Sequence, residues 1–124
     1  MKPCKTIERL FVLLPGLFFA AMINAGEVDV VDAVAECDDS CDFHVTLQHA
    51  DEGWKHYANR WEVLTPAGKI IATRVLVHPH SPAPFTRSLS GVKIPAGVSE
   101  VIVRGHDLVH AYGGKQMTLK IPAK

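Results

Sequence analysis

The chain has 124 residues, 48% of them hydrophobic and 21% charged, with 13 basic residues against 13 acidic ones. This is the size and composition of one globular domain, not of a disordered tail or a fibrous repeat. The neutral balance argues against nucleic acid as the main partner, because phosphate binding needs clustered positive charge.

In chain order, Lys2, Lys5 and Arg9 come first, ahead of an apolar run over residues 10–23 that only Pro15 and Gly16 interrupt. Ile23-Asn24-Ala25 then ends on a small residue. This three-part pattern predicts a secretory signal peptide over residues 1–25, cleaved after Ala25. The run is too short for a stable membrane span, which needs roughly 20 residues. An uncleaved N-terminal anchor is the alternative. Cleavage leaves a domain of residues 26–124 with net charge −2, all seven histidines and no membrane span. Its expected location is the periplasm or the exterior.

Val28, Val30, Val31 and Val34 mark a first strand. Cys37 and Cys41 follow, and in an exported chain such an even pair predicts a disulfide. A thiolate metal pair is the competing reading, but the usual structural zinc spacing is C-x2-C and no second pair exists. Phe43, Val45 and Leu47 alternate with His44, Thr46 and Gln48, the period of a half-buried strand. Tyr57, Asn59, Trp61 and Val63 alternate with His56, Ala58, Arg60 and Glu62. Thr65-Pro66-Ala67-Gly68 is a turn, and residues 69–78 read as the second arm of a hairpin. The three prolines of residues 79–84 predict an extended loop. Strands are expected over 85–94 and 98–104, then a loop over 105–114. Met117, Leu119 and Ile121 mark a last strand. Seven short strands with regular turn signals predict an all-β immunoglobulin- or fibronectin-like β-sandwich, with Trp61 in its core.

Seven histidines are about twice an average chain's share. His49, His56, His78, His80, His106 and His110 fall at predicted strand ends or in adjoining loops, and Asp107 lies between the last two. Alternate strand ends of a sandwich gather at one rim, so these residues could build a metal site there. Imidazole is the commonest metal ligand and suits Fe, Cu and Zn. His44 points away from Phe43 and Val45 and reads as a surface residue.

The stretch His49-Ala50-Asp51-Glu52-Gly53-Trp54-Lys55-His56-Tyr57, running on to Trp61 and Val63, resembles the superoxide reductase family (neelaredoxin and desulfoferrodoxin). Asp107-Leu108-Val109-His110-Ala111-Tyr112-Gly113 falls where that family carries its Cys-x-x-His-Gly motif. The resemblance implies an immunoglobulin-like fold and a surface iron site, with His49, His56 and His110 as ligands. Asp107 stands where the family has a cysteine ligand. The His49–His56 gap is one residue longer than the family's, and its upstream histidine and Glu-Lys loop have no counterpart. The overall pattern is also similar to small exported bacterial proteins.

Other chemistries find little footing. Ser81, Ser88, Ser90 and Ser99 lack a nucleophile-elbow context. Asp38, Asp39 and Asp42 lack the glycine and distal Glu of an EF-hand loop. Three functional expectations therefore stand. The first is an exported sandwich binding a transition metal through rim histidines, with no catalytic residue assigned. The second is a structural module that meets a protein partner through an edge strand or the Trp54–Tyr57 surface. The third is a redox enzyme of the superoxide reductase kind.

Overall fold

The computed structural model describes residues 26–122; the expected signal peptide lies outside the described residues. Seven strands form: β1 (Asp29–Cys37), β2 (Cys41–Gln48), β3 (Ala58–Leu64), β4 (Ile70–Val75), β5 (Phe85–Val92), β6 (Glu100–Asp107) and β7 (Met117–Lys120). Among the described residues there is no helix. The strands build two antiparallel sheets, ordered β1-β2-β5 and β4-β3-β6-β7.

The cause is the alternation in the sequence. Strand β2 buries Phe43, Val45 and Leu47 completely and turns His44, Thr46 and Gln48 the other way. Strand β6 does the same with Val101 and Val103. Each strand is therefore apolar on one face only, and the two apolar faces close on each other. Trp61, fully buried on the central β3, fills the middle of the shared core with Val28, Val30, Val63 and Phe85. The Thr65–Gly68 turn closes the β3–β4 hairpin through Thr65 N–H to Lys69 O (2.8 Å) and Gly68 N–H to Thr65 O (2.9 Å).

Two local expectations are corrected. Simple alternation puts Asn59 on the Trp61 face and Ala58 opposite. The register instead shifts between Ala58 and Arg60, so Ala58 is buried and the Asn59 carboxamide meets His106. The extra residue of a β-bulge resets the alternation there. The loop expected from residue 105 also starts later: β6 continues through Gly105, His106 and Asp107. Val28, just ahead of β1, packs directly on Gly105, and a Cβ there would lie 2.3 Å from Val28 Cγ1.

Pairing brings distant parts of the chain to one rim. Asp29 lies opposite Gln48, Leu47 opposite Phe85, and Ala58 opposite Asp107. The start of β1, the end of β2, the start of β3, the start of β5 and the end of β6 therefore meet. The Cys37–Cys41 disulfide forms, with an S–S distance of 2.03 Å. It joins β1 to β2 at the opposite rim.

Candidate metal centre

His49 follows the last residue of β2, and its side chain is fully buried. Its Nδ1 bonds to Asp51 Oδ1. Its Nε2 lies 3.0 Å from both Asp107 Oδ2 and the Gly26 carbonyl. His56, two residues ahead of β3, repeats the arrangement. Its Nδ1 lies 2.6 Å from Glu52 Oε1, while its Nε2 lies 3.3 Å from Gly26 O and 3.5 Å from Asp107 Oδ2. The two rings meet edge to face, with centroids 5.0 Å apart.

Asp107 ends β6 with no exposed surface. A tight turn follows, closed by the bridge from Asp107 to Ala111, which takes φ +58°. The turn aims the Val109 amide (2.8 Å) and the His110 amide at Oδ1. Oδ1 is thus occupied by backbone donors, and Oδ2 is left facing the imidazoles. His110 Nδ1 lies 3.4 Å from Oδ2, and its half-exposed ring stands 5.0 Å from that of His56. Burial would push the Asp107 carboxyl up. The His110 and Val109 amides, with His49 and His110, outweigh it and hold the group below the ordinary range. The Glu52 carboxylate raises His56 against the opposing effect of burial.

His49, His56 and Asp107 can offer ligand atoms that all lie within 4.8 Å of one another. The lone-pair count gives this geometry its meaning. A neutral imidazole has one N–H and one lone pair. If each Nδ1–H is spent on its own carboxylate, each Nε2 lone pair faces the lone pairs of Asp107 Oδ2 and Gly26 O. Such a convergence repels unless protons or a cation stand within it. Histidines backed by carboxylates on the far nitrogen are the usual outer shell of metal ligands. Imidazole nitrogens with carboxylate and carbonyl oxygens, and no thiolate, make a donor set fit for borderline divalent ions. Gly26, Ala50, Glu52, Lys55, His56, Val109 and His110 line an open cleft of about 590 Å³ over the cluster.

The remaining predicted ligands lie apart from this point. His78 is exposed, and its Nδ1 meets the Pro79 carbonyl at 2.8 Å. His80 is buried and stacks on Phe85, with centroids 4.2 Å apart. Burial, then Arg87 and His78, push it down. Its backbone N–H bonds to Asp51 Oδ2 at 2.7 Å. The carboxylate that holds His49 thus also fixes the proline loop, which carries cis bonds at Ser81–Pro82 and Ala83–Pro84. His106 faces the outside of the four-stranded sheet, 2.6 Å from Asn59 Oδ1 and edge-on to Tyr112. Burial and Arg60 lower its pKa.

Sequence reading assigned no role to Gly26, Asp51 or Glu52. Two carboxylates between two histidines were the available signal. It also assigned Glu62 no role. Glu62 is buried on the outer face of β3 under Arg60, Arg104 and Tyr112, whose polar atoms lie 2.7, 2.8 and 2.9 Å away.

A protein of Halomicrobium mukohataei named "Putative lipoprotein" is 44% identical to the chain over 99 residues. The match covers 78% of the chain and 49% of the relative, so the chain spans about half of the relative's length. No family model matches the chain, and no solved structure matches it.

Proposed function

We propose that this chain is an exported β-sandwich domain of the immunoglobulin/fibronectin type that binds one transition metal ion, Fe, Cu or Zn, at the rim. His49 and His56 would ligate through Nε2, Asp107 through Oδ2, and His110 would complete the shell through Nδ1. The observation that carries this reading is the convergence of His49 Nε2, His56 Nε2 and Asp107 Oδ2, with Asp51 and Glu52 behind the two histidines. The sheet order β1-β2-β5 against β4-β3-β6-β7 supports the fold type. The leader pattern of residues 1–25 and the lipoprotein name of the relative support export, to the periplasm or the exterior.

The test is metal content after purification without an affinity tag, followed by titration with Zn(II), Cu(II) and Fe(II). The expected result is about one equivalent, lost in the His49→Ala/His56→Ala double variant. Less than about a tenth of an equivalent, with no uptake of any of the three, overturns it.

A redox role of the superoxide reductase kind draws support from the matched positions His49, His56 and His110. Asp107 in place of a thiolate weighs against it, since a carboxylate is a harder donor and gives less charge to iron. Failure of the iron-loaded protein to reduce superoxide ends that reading. A protein-docking role without metal draws on Trp54, 67% exposed beside the cleft and edge-on to Tyr57.

A further inference from the structure

We propose that the α-amino group of Gly26, set free when residues 1–25 are removed, is a nitrogen ligand of the metal centre. The inference rests on the metal-binding reading above and adds a ligand that no side chain supplies.

Two independent lines meet at this residue. The first is sequence pattern: charge, apolar run and small residue, all within residues 1–25, predict a cut at the bond between Ala25 and Gly26. The second is geometry. The Gly26 carbonyl stands 3.0 Å from His49 Nε2 and 3.3 Å from His56 Nε2, inside the cluster of ligand atoms. Backbone, not side chain, occupies this place. Gly26 has φ +111°, and a Cβ there would lie 2.5 Å from His110 Cε1. Only glycine lets the main chain approach the three imidazoles so closely.

The folded domain holds Gly26 there from its downstream side. Val28 is buried against Gly105, Asp29 Oδ1 takes the Lys115 amide at 2.7 Å, and Val30 N–H bonds to Lys115 O at 2.9 Å. These contacts fix the chain within two to four residues of Gly26.

The chemistry of the cut supplies the ligand. Hydrolysis of the Ala25–Gly26 peptide bond consumes one water, leaving a carboxylate on Ala25 and an amine on Gly26. In the uncut chain the Gly26 nitrogen is an amide whose lone pair is delocalised into the carbonyl and is a poor donor. The freed amine and the carbonyl of the same residue are one Cα apart, so together they close a five-membered chelate ring on an ion. Export would then also complete the donor set.

The test uses the full-length gene, expressed with export in cells fed 15N-glycine and otherwise 14N nitrogen. Intact mass of the product is expected to begin at Gly26, and a different first residue overturns the proposal. The product is then loaded with Cu(II) and studied by pulsed EPR. The expected spectrum shows one strongly coupled 15N beside the 14N couplings of the imidazoles. Imidazole 14N couplings without strongly coupled 15N overturn the amine ligand and leave the histidine site standing. No nitrogen coupling at all overturns the metal reading itself.

Discussion

Asp107 and Glu62 are both buried carboxylates on the paired strands β6 and β3, and their surroundings set different tasks for them. Asp107 Oδ1 is filled by amides, and Oδ2 is aimed at three imidazoles. In Asp107→Asn the amides can still be satisfied, but an NH2 group then faces the imidazole nitrogens. Zn(II) affinity measured by calorimetry is expected to fall by at least about tenfold, with the fold kept. Glu62 instead faces two guanidinium groups and a phenol, and the Arg104 guanidinium stacks on the Tyr112 ring at 3.8 Å. Burial would raise the Glu62 carboxyl, but Arg60, Arg104 and Tyr112 prevail and lower it. A carboxyl depressed on folding contributes stability above its unfolded pKa, and that contribution disappears as pH falls through the folded pKa. Glu62→Gln should cost about 1–3 kcal/mol at neutral pH. Denaturant titrations of the two proteins should converge only in acid below the ordinary glutamate range, because the folded carboxyl is depressed. A gap that persists under acid contradicts this account.

Strands were legible wherever a single alternation covers them. Phe43, Val45 and Leu47 announce β2, and Val101 and Val103 announce β6. The alternation misled at Asn59, because a bulge is a relation between two strands and cannot be read from one. It also stopped short of Gly105, whose missing side chain reads as a break. The glycine is instead where Val28, just ahead of β1, packs into the sandwich. Gly105→Ala would drive a methyl group into Val28 and loosen the segment that carries Gly26. The expected cost is about 1–3 kcal/mol in thermal or chemical unfolding. Gly53→Ala, at a positive φ of +81° but with open space around it, should leave metal content unchanged and cost only backbone strain.

Across the whole molecule the disulfide and the histidine cluster mark opposite rims. The eight residues of β2 separate them by about 26 Å at the usual strand rise. The covalent ring is small, so chain entropy assigns it about 2 kcal/mol. Reduction should lower stability by that amount and leave metal content intact. Loss of metal on reduction would show that the two rims are coupled. The metal binding proposed for the other rim would act by mass action. Free metal at a hundred times Kd should add about 2.7 kcal/mol, removed by chelator and absent in the His49→Ala/His56→Ala variant.

The sequence by itself determined the all-β class, the seven strands, Trp61 in the core and the pairing of Cys37 with Cys41. Each of these follows from patterns within about ten residues, because a strand's two faces and a short covalent ring are local matters. The family resemblance named His49, His56 and His110, but composition and strand periodicity left six histidines as candidates, and the tertiary structure decided which of them meet. His49, His56, Asp107 and His110 come together because β2, β3 and β6 end at the same rim, while His106, next to Asp107, is turned to the other face of β6 by the pleat of the strand. Gly26 joins them through the packing of Val28, just ahead of β1, on Gly105. Convergence of side chains from separate segments depends on sheet register, which strand periodicity alone does not encode.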